Sequence, residues 1–138
     1  MSSDPQLLKS FEEVKEKLSS FTFEEDFDLL VAIANGGIIP AAILNQRLNI
    51  EMRLLQINWR DAKQKPIYDT PKLIVPIDFE FNNRRILLVE DRVKTGASLT
   101  YAKELLEKEA ALVKTFSVNG PADYSLFDEV CFKFPWLI

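Results

Sequence analysis

Apolar residues recur along the chain at two spacings, one typical of helices and the other of buried strands. Residues 6–20 place apolar side chains such as Val14 and Leu18 three or four positions apart, with charged residues between them, which predicts an amphipathic helix. Residues 28–34 and 85–90 are instead almost continuous apolar runs, as in strands that are covered on both faces. Both patterns in one chain predict an α/β fold.

The same patterns predict the order of the remaining elements. Further strands are predicted at 52–59, 73–75, 112–118 and 130–134, and further helices at 38–48 and 97–109. Residues 60–72 are polar and contain two prolines, which predicts a loop. Strands that alternate with helices favour a mostly parallel, twisted sheet flanked by helices on both faces. Ligands of such sheets bind at the carboxyl ends of strands, where the turns 35–37 and 91–96 are predicted to lie.

Length and charge narrow the classes of function. The 138 residues suit one domain, 1–138, with residues 1–22 as an N-terminal helix. The net charge is −4 and no block of Lys and Arg is present, which argues against nucleic acid as a partner. No apolar run reaches the ~18 residues that a membrane helix needs. Because the N-terminal segment is charged and lacks an apolar signal core, we predict a cytoplasmic protein without a membrane partner.

The absence of histidine limits the chemistry. Histidine is the commonest acid–base residue and the commonest metal ligand, and the chain has none. A single cysteine, Cys131, excludes an intrachain disulfide. Any reaction must therefore rely on carboxylates, lysines, hydroxyls or backbone amides.

The segment 86–100 combines groups that suit a sugar phosphate. Its apolar strand ends in two adjacent acids, Glu90 and Asp91, which accept hydrogen bonds from vicinal sugar hydroxyls. The helix that follows starts with Thr95, Gly96, Ala97 and Ser98. A helix start offers unpaired amides to an anion, so this end suits a phosphate. The combination indicates ribose 5-phosphate, whereas the alternative is a capping Thr95 and a solvated acid pair.

The same segment resembles the phosphoribosyl pyrophosphate motif of type I phosphoribosyltransferases, in which apolar residues precede two acids, two further residues and Asp-Thr-Gly. The resemblance implies that Glu90 and Asp91 bind the ribose hydroxyls and magnesium (Mg2+), and that residues 95–98 bind the 5′-phosphate. About 50 residues earlier, a strand followed by Asn35, Gly36 and Gly37 resembles the pyrophosphate loop of this family. The implied fold is Rossmann-like, with a small C-terminal hood at 120–138.

The C-terminal segment resembles the tail of short xanthine-guanine and hypoxanthine-type members. These members carry an aromatic residue that stacks on the purine and a Pro-Trp pair near the chain end, here at positions 135–136. The resemblance assigns base binding to Asn119, Cys131 and Phe132. The alternative is that the aromatic residues of this segment are simply the last core strand.

Several positions depart from the family pattern. Lys94 stands where the motif has an aspartate that handles a proton of the base, and a protonated lysine cannot accept one. Asn35 replaces a usual Lys or Arg, and Asn119 takes the place of a lysine that contacts the purine. Lys94 is either a catalytic-site group that ligates pyrophosphate or a substrate carboxylate, or an ordinary surface lysine.

The resemblance implies transfer of the phosphoribosyl group of phosphoribosyl pyrophosphate to a nucleobase, with Mg2+ as cofactor. Family members form homodimers or tetramers, so self-association is expected. The departures leave a second hypothesis open, in which the protein is a catalytically impaired nucleotide-binding or regulatory module of the same fold.

Overall fold

A computed structural model describes residues 9–57, 71–129 and 132–136 of the chain. The described residues form three helices and five strands. In chain order these are α1 (Phe11–Ser20), β1 (Leu29–Ala34), α2 (Ile38–Leu48), β2 (Glu51–Gln56), β3 (Arg85–Arg92), α3 (Ala97–Glu107), β4 (Leu112–Asn119) and β5 (Tyr124–Phe127). None of the helices in these ranges has the length and apolar character needed to cross a membrane.

The five strands form one sheet in the order β2-β1-β3-β4-β5, and every neighbouring pair is parallel. This confirms the predicted parallel α/β architecture. The chain places β2 on one side of β1 and then adds β3 on the other side, so the strand order reverses between β1 and β3. That reversal opens a crevice at the carboxyl ends of these two strands.

Layers on both faces of the sheet explain the continuous apolar run of β1. Leu30 and Ala32 pack on the side that α1, α2 and the C-terminal aromatic residues cover. Leu29, Val31 and Ile33 pack on the opposite side, in the core that α3 contributes to. A strand covered on both faces has no solvent side, so it shows no polar alternation.

Strand β3 is longer than predicted. The sequence placed Asp91 in a loop, but the parallel pairing continues until Arg92 lies opposite Asn119 of β4. The polar side chains at 90–92 concealed this extension, because a strand end with three charged residues resembles the start of a loop. Both acids of the predicted site therefore sit on a hydrogen-bonded strand.

Other element boundaries also differ from the predictions. Strand β5 was missed. The strand predicted at 130–134 is not formed by residues 132–134, where only Lys133 has an isolated bridge, and residues 130–131 lie outside the described residues. The predicted strand at 73–75 reduces to one bridge between Leu73 and Ile57. Helix α1 begins after Ser10, whose hydroxyl accepts from the amide of Glu13. Most of the predicted loop at 60–72 lies outside the described residues, because these exclude residues 58–70. Residues 1–8 also lie outside them.

Candidate functional site

Three of the described segments that were predicted to form the site meet at one edge of the sheet. The turn 35–37 follows β1, the acids 90–91 end β3, and Asn119 ends β4, which are three neighbouring strands. Because all strands are parallel, their carboxyl ends share this edge. A polar cleft of about 300 Å³ opens beside it, lined by Ala34, Asn35, Gln56, Ile57 and Ile74.

Asp91 and Gly36 bring the two predicted loops into direct contact across the crevice. A Cβ atom placed on Gly36 would lie 2.5 Å from Oδ1 of Asp91 and 2.6 Å from its Cγ. The carboxylate of Asp91 therefore occupies the space that a side chain at position 36 would fill. Oδ1 also accepts a hydrogen bond of 2.6 Å from the amide of Arg92, which fixes the orientation of the carboxylate.

Gly37 has a packing role in the same turn. A Cβ atom on it would lie 2.3 Å from the carbonyl oxygen of Val89 and 2.9 Å from that of Ile33. Its amide donates to the carbonyl of Ile33 over 2.8 Å. Gly37 thus lets α2 start close to β1 and β3, and its amide is engaged within the turn rather than presented to an anion.

Glu90 is a mostly buried acid beside a second acid. Burial raises the pKa of Glu90 well above its usual value, and the negative charge of Asp91 raises it further. The amide of Asp91 donates to Oε1 of Glu90 over 3.0 Å, which opposes the shift only in part. Burial and the adjacent negative charge therefore both disfavour the ionised form of Glu90.

The predicted phosphate loop forms the start of α3. Gly96 precedes the helix with a φ of 82°, in the left-handed region that favours glycine, and its carbonyl accepts from the amide of Thr100. The hydroxyl of Thr95 accepts from the amide of Ala97 over 3.2 Å, but the N-cap residue is Gly96 and not Thr95. The first turn carries no acidic residue, so its positive dipole end remains suited to an anion.

Lys94 is exposed on the bend between β3 and α3. Its neighbour Val93 is buried, and the Val93 amide donates to the carbonyl of Asn119 over 2.9 Å. This bond ties the bend to the end of β4. The lysine is thus held near the acid pair by a fixed backbone while its own side chain faces solvent.

The structure does not bring the predicted base-binding residues into an open pocket. Asn119 is 4% exposed, and its amide group exchanges hydrogen bonds of 3.3 and 3.0 Å with the backbone of Glu129. Phe132 is fully buried and packs against Phe127 and Phe134, as the core alternative predicted. Neither side chain presents a free face to a base in this conformation, and Cys131 lies outside the described residues.

Arg92 is a residue at this edge that sequence reasoning missed. Its Nη2 donates to the carbonyl of Phe132, and its guanidinium carbon lies 4.9 Å from the centre of the Phe134 ring. An arginine inside the motif, directly after the acid pair, is the signal that could have identified it. Both contacts join the end of β3 to the C-terminal segment.

Comparison with known proteins gives the following matches. The sequence profile of the family described as "Phosphoribosyl transferase domain" matches residues 5–133. An orotate phosphoribosyltransferase of Sulfurisphaera tokodaii is 32% identical over 88 residues, which are 64% of this chain and 40% of the relative. A xanthine-guanine phosphoribosyltransferase of Chromohalobacter salexigens is 31% identical over 121 residues, which are 82% of this chain and 70% of the relative.

Solved structures give the same fold. The crystal structure of a purine phosphoribosyltransferase from Pyrococcus horikoshii superimposes with a TM-score of 0.80 at 22% identity, covering 94% of this chain and 93% of that one. This likeness confirms the predicted fold class. The matched region covers less than half the length of the orotate relative, so the activity of this chain needs its own test.

Proposed function

The chain belongs to the phosphoribosyl transferase domain family, and on that premise we propose that it moves a 5-phosphoribosyl group from phosphoribosyl pyrophosphate to a nucleobase and releases pyrophosphate. A purine is the class of base that the names of the xanthine-guanine relative and of the Pyrococcus horikoshii structure support. The observation that carries the proposal is the contact between the Asp91 carboxylate and Gly36 across the crevice. It joins the two segments that the family uses at opposite ends of one substrate.

The acid pair is suited to hold the ribose ring. Glu90 and Asp91 are adjacent at the end of β3, so the carboxyl group of Glu90 can bind one ribose hydroxyl. The carboxylate of Asp91 accepts from the neighbouring hydroxyl. Together they orient the sugar so that the bond from C1 to the pyrophosphate oxygen breaks and a bond from C1 to a ring nitrogen forms, while the proton of that nitrogen passes to the released pyrophosphate or to water.

Residues 95–98 are suited to hold the 5′-phosphate. A phosphate at the start of α3 would meet the positive end of the helix dipole and backbone amides of its first turn, and the hydroxyls of Thr95 and Ser98 could donate to it. Binding here anchors the substrate far from the bond that breaks. That remote binding energy orients the reacting carbon at the acid pair.

Magnesium fits this donor set as a partly protein-bound ion. Among the described residues no group of three or more acidic or cysteine side chains could enclose a metal. Mg²⁺ prefers one or two carboxylates together with waters and substrate oxygens, and Asp91 with Glu90 offers that number. When bound, the ion would neutralise charge on the departing pyrophosphate.

Lys94 favours a second candidate function. The motif places a proton-accepting aspartate at this position, and an exposed lysine cannot take over that role. Loss of one acid–base group typically costs 10²–10⁴-fold in rate. The second candidate is therefore a nucleotide-binding or regulatory module that keeps the sugar-phosphate site and has lost most catalysis.

Binding and turnover experiments separate the two candidates. Isothermal titration with Mg²⁺-phosphoribosyl pyrophosphate measures binding, and a pyrophosphate-release assay with guanine, xanthine, hypoxanthine and orotate measures transfer. Binding with release supports the enzyme, and binding without release supports the module. The double variant Glu90→Ala/Asp91→Ala should lose at least tenfold in affinity, because both ribose contacts disappear; unchanged affinity would refute the ribose assignment.

A single substitution tests whether Lys94 limits catalysis. Lys94→Asp restores the proton acceptor of the motif, so we expect pyrophosphate release to rise by at least tenfold with unchanged folding. The matched control is Lys108→Asp, which makes the same charge change at an exposed position just after α3. Equal rates in both variants would show that Lys94 does not limit the reaction.

A further inference from the structure

Two side chains at the ends of β3 and β4 hold the C-terminal segment of the described chain. Arg92 and Asn119 lie opposite each other in the last pair of the parallel register. Asn119 binds the backbone of Glu129 through both atoms of its amide group, at 3.3 and 3.0 Å. Arg92 donates from Nη2 to the backbone carbonyl of Phe132. Arg92 and Asn119 therefore bind the segment at Phe132 and Glu129, which are three positions apart in the chain.

An aromatic stack extends the contact made by Arg92. Its guanidinium carbon lies 4.9 Å from the centre of the Phe134 ring, and that ring stacks on Trp136 with 5.1 Å between centres and 9° between planes. Phe134 is 1% exposed, so the cation and the ring interact largely shielded from water. Among the described residues, Nε of Arg92 is buried without a hydrogen-bond partner. Contacts to the C-terminal segment thus account for how the guanidinium is held.

The contacts of Arg92 and Asn119 with the C-terminal segment lie next to the proposed ribose site. Arg92 directly follows Asp91, and consecutive Cα atoms are about 3.8 Å apart. The Asp91 carboxylate lies against Gly36 in the crevice, so the C-terminal segment is fastened one residue away from the acid pair. If the C-terminal segment moves, the side of the site next to β4 therefore changes.

We propose that Arg92 and Asn119 are positioning residues that hold Glu129 and residues 132–136 in place as the wall of the base pocket. This inference rests on the proposed function. Neither side chain touches the ligand: both bind the backbone of the segment, and the segment then borders the base. It replaces the predicted direct base contact of Asn119 with an indirect role.

The proposal separates recognition of the base from recognition of the sugar phosphate. If these contacts are lost, the C-terminal segment is in place in a smaller fraction of the molecules. The apparent affinity for a ligand that contacts the segment falls in proportion to that fraction. A ligand without a base does not contact the segment, so its affinity does not depend on where the segment lies. Ribose 5-phosphate and a complete nucleoside monophosphate therefore report on different parts of the site.

The central experiment compares these two ligands by isothermal titration on the full chain. In Arg92→Met we expect the affinity for GMP to fall about tenfold and the affinity for ribose 5-phosphate to change less than twofold. IMP, XMP and orotidine monophosphate are titrated in parallel, and the tightest of the four defines the comparison. A uniform loss for all ligands, or no loss for any, would overturn the positioning role.

Arg47 provides a matched control. Its Nη2 also donates to a backbone carbonyl, that of Leu18 at 3.1 Å, and its guanidinium lies 6.0 Å from the ring of Phe23. These contacts join the last turn of α2 to α1 and to the segment that follows α1, away from the carboxyl edge of the sheet. Arg47→Met removes an interaction of the same kind, so it should leave both affinities unchanged; a selective loss of GMP binding there would overturn the proposal.

Two further variants keep the test decisive if Arg92→Met does not fold. Arg92→Lys retains the positive charge without the planar fork and should show a smaller selective loss of GMP affinity. Asn119→Ala removes the other contact and should show the same selectivity, because both residues hold one segment. If the unmodified chain binds neither ribose 5-phosphate nor any monophosphate, the proposed function fails; if it binds both and these variants show no selectivity, only the positioning role fails.

Discussion

Substitution of Gly36 by alanine tests the geometry on which the ribose assignment depends. The new Cβ atom would lie 2.5 Å from Oδ1 of Asp91, about 0.9 Å short of the 3.4 Å at which ordinary contact begins. The backbone at Gly36 is outside the left-handed region, so alanine is compatible with its conformation. The strain therefore falls on the carboxylate, which must move by about 1 Å and weaken its 2.6 Å bond to the amide of Arg92.

The expected result is a loss of binding without a loss of folding. The displaced carboxylate loses its hydrogen bond to a ribose hydroxyl, and a hydrogen bond to a charged group contributes about 1.5–3 kcal/mol, so we expect affinity for Mg²⁺-phosphoribosyl pyrophosphate to fall about 10- to 100-fold. The free energy of unfolding should stay within about 1 kcal/mol of the unmodified chain, because the end of a side chain can rotate away. Calorimetric titration and urea denaturation measure the two quantities.

The neighbouring glycine supplies the opposite expectation. In Gly37→Ala the added atom would lie 2.3 Å from the backbone carbonyl of Val89 and 2.9 Å from that of Ile33. Neither carbonyl can move without disturbing the central strands, so we expect a loss of at least about 2 kcal/mol in unfolding free energy. If Gly36→Ala instead keeps its affinity within twofold, the carboxylate of Asp91 does not bind the ribose.

Three further substitutions test local features of the fold. Burial raises the pKa of Asp123, but the hydrogen bonds from Thr115 together with the charges of Lys103 and Lys114 bring it below its usual value. Its stabilising contribution is therefore present above about pH 4 and is lost as the pH falls through the lowered value. Asp123→Asn should therefore destabilise the chain at pH 7 and lose that difference in acid; urea denaturation at pH 7 and pH 3 measures it, and an equal difference at both would contradict the assignment. Ser10→Ala removes the N-cap of α1 and should lower the free energy of unfolding, measured by thermal denaturation, by about 1 kcal/mol. An unchanged value would show that the cap does not stabilise the chain. Gly96→Ala meets no atom closer than 3.9 Å, so its expected cost of about 1 kcal/mol comes from the left-handed backbone alone; a cost above about 3 kcal/mol would indicate a collision instead.

The sequence was most informative where burial on two faces left a strong pattern. The run at 28–34 became β1, and the helix predicted at 38–48 became α2 with the same bounds. Both follow from local physics, because a strand between two layers must be apolar throughout and a glycine turn must precede a helix that crosses closely. The meeting of Gly36 with Asp91 also follows from the parallel order of strands that carry them.

The C-terminal segment could not be predicted in the same way. Phe132 and Phe134 alternate with Lys133 as in a strand, but they are buried by side-chain packing against other aromatic rings and not by a sheet ladder. Periodicity reports that a side chain is buried and does not report what buries it. The contact between Arg92 and this segment spans 40 positions along the chain, so no local pattern contains it.

The unexpected length of β3 connects these observations. Because the ladder continues to Arg92, three consecutive charged residues leave the sheet from a rigid strand and not from a loop. Burial raises the pKa of Glu90, the carboxylate of Asp91 lies against the turn at Gly36, and Arg92 reaches the C-terminal segment. A loop could place three such side chains independently, but a strand fixes their relative directions.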